Sequence, residues 1–340
     1  MQGIVREPDR GGVILRTVLH VGPVNSKGGM GAVIQILAAN PPINWKAETL
    51  PSHADGGKFI ALLAWWRVLR RLRKRVKQGG IDLVHIHTAS RWSWTRKKML
   101  IKIVRKAGLP VVLSFHSGDF DRHCEKHGED VRKICCDQGV HPVLLSTDWQ
   151  MRLSKWIEES TVIPNPCPDV EINVERDRTT FLLMGRKNPM KGQEIAIQAA
   201  AMLIEQGHKV TIHMTGIQKN YPGVIGHGWV DGEEKEHLLS TCGTLLSPSE
   251  WEGLSMTIIE AMARGMPIIA SEASEGVFSN SGRIVERSPS AFAEAMVEMM
   301  DGDRWTEMAE SGPKEAEKYR LENVTQQWMA LYNQVMELSE

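Results

Sequence analysis

Short apolar runs alternate with segments of helical period along most of the chain. Strand candidates stand at "VILRTVLHV" (13–21), "IDLVHIH" (81–87), "PVVLSFH" (110–116), "PVLLS" (142–146) and "TVIP" (161–164). After a break the pattern resumes with "TFLLMG" (180–185), "KVTIHMTG" (209–216), "GTLLSP" (243–248) and "MPIIAS" (266–271). Apolar helical patterns fall between these runs, for example at 192–206 and 255–264. Near-continuous apolar strands separated by helices predict parallel sheets covered on both faces. The pattern occurs twice. The break, "NPCPDVEINVERDRTT" (165–180), has prolines, mixed charge and no helical period, and reads as a linker. The predicted fold class is therefore α/β, with two doubly wound parallel-sheet domains facing across a cleft. Ligands of such sheets bind outside the carboxyl ends of the strands.

The chain closes with three helical patterns at 289–301, 303–319 and 321–338. The last aligns Val324, Trp328, Leu331, Tyr332, Val335 and Leu338 on one side, a face that must be buried on something. The expected boundaries are a disordered lead-in at 1–12, a first domain at 13–170, a second at 171–320, and a final helix at 321–340.

A length of 340 residues exceeds one ordinary core and suits two domains. Lysine plus arginine (41) balances aspartate plus glutamate (41), so no global field draws the protein to nucleic acid. Five cysteines, an odd number without a CxxC pair, point to free thiols in a reducing compartment. The stretch "HCEKHGEDVRKICC" (123–136) lacks zinc-site spacing, since adjacent cysteines rarely serve as two ligands of one ion. No secretory signal and no apolar run near 18 residues is evident, so a cytoplasmic protein is expected.

Three stretches carry candidate chemistry. The first strand enters "GPVNSKGGMGAVIQILAA" (22–39), a strand, glycine turn and helix that would aim backbone N–H groups at an anion. Neither GxGxxG nor the P-loop spacing is present. The first strand of the second half enters "MGRKNPMKGQE" (184–194), where Arg186 and Lys191 flank a loop before a helix. Two cations at a helix N-terminus suit a diphosphate, although a solvated basic loop would look the same. In "EWEGLSMTIIEAMARGMP" (250–267), Ser255 is a candidate N-cap and Gly265 a terminator. Glu260 then falls inside a helix that is apolar nearly all round, so it needs partners, and Glu252 stands in the turn at the same end.

These stretches together resemble the retaining glycosyltransferases of the family 4 type, with GT-B architecture and Rossmann-like domains. Glu252 and Glu260 match that family's E-x7-E pattern, and Arg186 and Lys191 its R-x4-K pair. "IDLVHIHTAS", "LSFHSGDF", "VIPN" and "GWVDGEEKEHLLSTCGTLLSPS" follow in the family's order, so the resemblance spans roughly residues 15–335. It implies that Glu260 accepts hydrogen bonds from the ribose of a nucleotide-sugar donor. Glu252 would face the donor sugar, with the Gly253, Leu254 and Ser255 amides on its hydroxyls or phosphate. Arg186 and Lys191 would stabilise the diphosphate leaving group, Gly28 and Gly29 would approach it, and His116 would contact the sugar. Gly216 and Asn165 are further candidates for substrate contact. No metal and no cofactor is expected beyond the nucleotide-diphosphate sugar itself, so "DFD" (119–121) is read as a loop rather than a metal motif. One departure stands out. Where the family has a glycine-rich loop, this chain has the short "EASEGVFSNSG" (272–282).

"FIALLAWWRVLRRLRKRVKQ" (59–78) holds seven basic residues and no acid, with Leu62, Trp65, Trp66, Leu69, Leu72 and Val76 at helical period. Such a helix either packs on the first sheet with a solvated basic face or also lies on an anionic membrane. With the basic "SRWSWTRKKMLIKIVRK" (90–106) it suggests a glycan or lipid-linked acceptor at the cytoplasmic membrane surface. The leading expectation is a retaining, metal-independent hexosyltransferase. A nucleotide-sugar-binding protein without transferase activity is the alternative, and the missing dinucleotide fingerprint argues against a nicotinamide oxidoreductase.

Overall fold

The computed structural model describes residues 15–52, 58–172 and 175–339, and the side chains of all of these except 58–64. The expected lead-in at 1–12 and the side chain of Leu62 lie outside the described residues. The chain divides into two compact units. One runs to Pro166 and takes in the stretch from Leu321 onward; the other is Cys167–Arg320.

The first unit contains β1 (Arg16–Gly22), α1 (Gly29–Ala39), β2 (Trp45–Pro51), α2 (Lys58–Lys77), β3 (Leu83–Thr88), α3 (Trp92–Lys106) and β4 (Val111–Phe115). It continues with α4 (Phe120–Cys135), β5 (Val140–Leu144), α5 (Thr147–Leu153) and β6 (Thr161–Val162). The second unit contains β7 (Asp177–Leu183), α6 (Gln193–Glu205), β8 (Thr211–Thr215), β9 (Val224–Gly228), α7 (Gly232–Thr241), β10 (Cys242–Ser247), α8 (Met256–Ala263) and β11 (Ile268–Ser271). Then come β12 (Gly282–Val285), α9 (Pro289–Met300) and α10 (Asp303–Ala316), before α11 (Leu321–Glu337) rejoins the first unit.

Each unit holds a six-stranded sheet, in the orders β2-β1-β3-β4-β5-β6 and β12-β11-β10-β7-β8-β9. All pairs between these strands are parallel. The two sheets with their flanking helices form the two Rossmann-like halves of a GT-B fold. The central strands β3, β4 and β10 are buried at every position, which is why they read as unbroken apolar runs. Three strands, β2, β9 and β12, were not predicted. Each is a sheet edge with partly exposed residues, so its apolar signal is diluted.

In α2 the core contacts come from Val68, Leu69 and Leu72, helped by Trp65 and Val76. Trp66, expected on that face, is 53% exposed instead. In α11, Val324, Trp328, Leu331, Tyr332 and Val335 are buried as the helical period predicted, while Leu338 is exposed. All five cysteines are free thiols.

Candidate active site

In the second sheet the chain runs from β7 outward to β9 in one direction, and from β10 outward to β12 in the other. The direction reverses between β7 and β10, the place where open parallel sheets bind ligands. The loops leaving these two strands carry Arg186, Lys191 and Glu252. Arg186 is exposed, just beyond β7, and its carbonyl accepts a 2.8 Å bond from Gln193 Nε2. Residues 189–191 form a 3₁₀ turn, with Asn188 capping it by accepting from the Met190 N–H at 3.2 Å. Lys191 Nζ bonds Glu252 Oε1, which also accepts from Ser249 Oγ at 2.7 Å. Thus one cation and one carboxylate of the predicted set form a pair, joined by a hydroxyl that the sequence did not flag.

The two loops are tied together through their backbones. The Glu250 N–H donates to the Met190 carbonyl at 2.8 Å, and the Arg287 side chain, from beyond β12, bridges both loops by donating to the Pro248 and Pro189 carbonyls at 3.0 and 3.3 Å. A Cβ at Gly192 would stand 2.3 Å from the Pro248 oxygen, so only glycine lets these loops approach so closely. Gly216 serves the same assembly from behind. Its φ is 81°, and a Cβ there would stand 2.4 Å from the Gly185 oxygen and 2.6 Å from the Lys187 nitrogen. It supports the turn that carries Arg186. Gly216→Ala is therefore expected to destabilise the second unit by about 1–3 kcal/mol, from the strained backbone before any clash is counted. Urea melts of wild type and variant give this number directly, and an unchanged midpoint would refute the bracing role.

Glu260 sits in α8 at 6% exposure. Lys235 of α7 reaches it, with Nζ 2.8 Å from Oε1 and 2.7 Å from Oε2. Of the two, only the Oε1 contact has hydrogen-bond geometry. The buried carboxylate thus has the partner its burial demands. Lys235 lies in "GEEKEH", a strongly acidic stretch, and nothing in the sequence distinguished it from other cations as that partner. Arg264 reinforces the end of α8, donating to the Glu260 carbonyl at 3.0 Å and to Glu236 at 2.6 Å. The two glutamates therefore belong to separate ion pairs. Leu254 and Ser255 are buried at the start of α8, and Gly253 is half-buried. Ser255 occupies the N-cap position, but its side chain does not cap. Its hydroxyl lies 3.0 Å from Thr257 Oγ1 instead.

The short 272–282 loop is held by Glu315 of α10. That carboxylate accepts from the Ser279 and Asn280 N–H groups at 2.8 and 2.6 Å and from the Ser281 hydroxyl at 2.9 Å. The Ser279 and Asn280 amides of this loop are thereby already engaged.

In the first sheet the direction reverses between β1 and β3. Gly28 stands at the N-cap of α1 and Gly29, exposed, opens the helix. Asn165 is buried near the end of the unit. His116 follows β4 directly, and its Nε2 lies 3.0 Å from His87 Nδ1. His87 Nε2 lies 3.1 Å from His20 Nδ1. His85 bonds Ser114 Oγ and the Tyr332 hydroxyl, each at 2.7 Å. Burial pushes His20 down to about 3 and His116 to about 4, so both are neutral at physiological pH. Of these histidines only His116 had been singled out. The "DFD" segment is not a loop: Asp119 stands at the N-cap position and Phe120 and Asp121 open α4. Asp119 accepts from Ser90 Oγ at 2.7 Å, and Asp121 pairs with Arg152.

Two parallel-sheet units, with a basic turn and a buried glutamate beside the reversal point of the second, are the layout of the GT-B class. Residues 35–167 match the family described as Glycosyltransferase Family 4, and residues 178–302 match Glycosyl transferases group 1. The chain is a GT-B glycosyltransferase. It is 22% identical over 367 residues to an uncharacterised 41.2 kDa protein in the cps region of Klebsiella pneumoniae, covering 93% of this chain and 99% of that one. It is 28% identical over 109 residues to the O-antigen chain mannosyltransferase B of Escherichia coli, covering 31% of this chain and 29% of that one. Sucrose-phosphate synthase from Thermosynechococcus elongatus has a similar fold, with a TM-score of 0.74 at 15% identity over 95% of this chain and 99% of that one.

Proposed function

We propose that this glycosyltransferase is a retaining, metal-independent enzyme that moves a hexose from a nucleotide-sugar donor to a glycan or lipid-linked acceptor. The pathway it serves is the synthesis of a cell-surface polysaccharide or glycoconjugate, as the O-antigen relative suggests. One observation carries this reading. The loops at the reversal point of the second sheet bring the Lys191–Glu252 pair and the exposed Arg186 to one strand edge, with the buried carboxylate of Glu260 on the helix that follows. Breaking a sugar–phosphate bond builds negative charge on the departing phosphate. Fixed cations stabilise that charge, as preorganised oxyanion donors do at roughly 2.7–4 kcal/mol for one such donor. Arg186 and Lys191 are assigned this task. Glu260 takes the ribose hydroxyls, Glu252 with the Gly253–Ser255 amides takes the sugar, and Gly28, Gly29, Asn165 and His116 are the first unit's substrate contacts. Gly216 acts by bracing.

The test is thermal-shift screening against nucleotide sugars. A specific donor at 100 times its Kd stabilises the fold by about 2.7 kcal/mol. No stabilisation by any nucleotide sugar or nucleoside diphosphate would remove the proposal. The engagement of the 279–280 amides by Glu315 favours one other reading, a binder of nucleotide sugars without transfer. Slow donor hydrolysis by the pure protein decides between them, because a binder gives none.

We place the enzyme in the cytoplasm, against the inner face of the membrane. Among the described residues no helix is long and apolar enough to cross a membrane. The exposed residues of α2 include Trp66, Arg67, Arg70, Arg73, Lys74 and Lys77, and α3 adds Trp92, Met99, Lys102 and Lys106. A cationic face bearing exposed tryptophans suits an anionic lipid surface, each cation contributing about 1 kcal/mol. Exchanging both Arg70 and Arg73 for glutamate is expected to weaken binding to anionic vesicles by at least about 30-fold at low salt. Co-sedimentation measures this, and wild-type binding indifferent to salt or to the exchange rules the surface out.

A further inference from the structure

The histidines of the first unit form a connected array whose arithmetic constrains the one at its end. His20 on β1 and His87 on β3 are fully buried, and His116, half-buried, follows β4. Adjacent parallel strands place them in line, with N···N separations of 3.1 and 3.0 Å. Both nitrogens of His87 are thereby used. His85 stacks on His87 with ring centroids 4.0 Å apart and spends its own nitrogens on Ser114 and Tyr332. The ring lone pairs facing this cluster already have partners, so the grouping of His20, His85 and His87 does not need an ion to satisfy it.

A neutral imidazole has one donor and one acceptor nitrogen. Each N···N contact requires a donor on one side and an acceptor on the other. Starting from His20, only two arrangements satisfy both contacts. If His20 carries its proton on Nδ1, His87 must accept at Nε2 and donate from Nδ1, and His116 must accept at Nε2 and carry its proton on Nδ1. If His20 accepts at Nδ1, the polarity reverses, and all three rings carry their protons on Nε2. Mixed arrangements set two lone pairs or two protons against each other.

We infer that His20 and His87 are positioning residues that lock the tautomer of His116 to their own, so that its remaining ring nitrogen, Nδ1, meets a substrate oxygen as donor or as acceptor only in step with the whole array. The inference rests on the proposed contact of His116 with substrate for its catalytic consequence, and on the His20–His87–His116 geometry for the lock itself. The fixed hydrogen bond requires no reorganisation at the moment of reaction, which is what makes preorganised groups effective.

The experiment uses the full chain with ¹⁵N-labelled histidine, long-range ring spectra at pH 7, and single substitutions for assignment. All three rings are expected in the same tautomer. A mixture among the three in wild type overturns the lock, as does zinc binding at one equivalent that is lost on substitution of His20. His20→Leu is expected to leave His116 in both tautomers and to lower kcat about 10-fold, the scale of one well-made hydrogen bond, with KM little changed. His20→Asn, whose amide can serve either polarity, fills the site without fixing the tautomer, so its kcat is expected to stay within about 2-fold of His20→Leu, and full recovery of kcat there overturns the lock. Unchanged kcat and an unchanged His116 tautomer in His20→Leu also overturn the lock. Should His20→Leu fail to fold, the wild-type spectrum still decides. His116→Ala separates the two layers: intact turnover there removes the substrate contact, whereas the spectra judge the array independently.

Discussion

Glu260→Ala and Lys191→Ala are each expected to lower kcat/KM for the donor by about 10²–10³-fold while the protein stays folded. The two substitutions act differently. Lys191 is the cation proposed to face the leaving phosphate, and in the free enzyme it is already held by Glu252. Its removal deletes a positive charge and also leaves the Glu252 carboxylate with Ser249 as a neutral partner, so an unbalanced negative charge faces the incoming diphosphate. Both effects raise the barrier in the same sense. Glu260 contributes through binding rather than through charge in the transition state, so its loss should appear mainly in kcat/KM. Truncating it also strands the Lys235 ammonium, which is 28% exposed and can recover water. A stability cost below the 3–5 kcal/mol of a fully buried broken pair is therefore expected. Glu260→Gln keeps the shape and tests charge alone. Turnover assays with circular dichroism on each variant make the check. A folded variant of either residue with wild-type kcat/KM would remove that residue from the proposed site.

The second large effect is on acid stability. The fold is expected to weaken steeply between about pH 6.5 and pH 4.5, with the first unit yielding first. Burial holds His20, His85, His87 and His116 neutral in the folded chain, with His20 lowered to about 3 and His116 to about 4. In the unfolded chain the same groups take protons near 6.5. The unfolded state therefore binds more protons across this window, and stability falls as the pH falls. For His20 alone the loss is about 2 kcal/mol at pH 5, against a typical total of 5–15 kcal/mol for a domain. Carboxylates held low by hydrogen bonds, such as Glu48 with Arg75 and Asp177 with Thr179, act in the same direction, but only below their usual values of 4.5 and 3.8. Lys97, which burial lowers to about 7, acts above the window. Urea melts at pH 7.5 and pH 5.0 measure the difference. A first unit equally stable at both would show that these histidines are not kept neutral by the fold.

The fold was legible because its central strands are buried on both faces. A run such as "IDLVHIH" has few other ways to fold, and all nine runs read from the sequence are strands. The edge strands β2, β9 and β12 were not, since a strand with a neighbour on one side only keeps exposed polar positions. Trp66 illustrates a different limit. At the boundary of an amphipathic face, one helical step separates Trp65, which packs on the core, from Trp66, which is exposed.

At the site, the burial of Glu260 followed from its helix being apolar all round, and its need for a partner followed from that burial. Which cation answers was not legible, because a sequence with 41 basic residues offers many and Lys235 lies in a different element. The pairing of Lys191 with Glu252 across 61 positions of sequence depends on β7 and β10 being neighbours in the sheet. The histidines show the same division most plainly. Each stands in or just after a strand that the apolar pattern already located. Only the parallel alignment of β1 with β3 and of β3 with β4 makes three separate residues one hydrogen-bonded array. By itself the sequence determined which segments are strands and helices and which charged groups must be buried, because both follow from local periodicity and the cost of desolvation. The tertiary structure alone decided which of those groups meet, since strand order and register are properties of the assembled sheet and of no single segment.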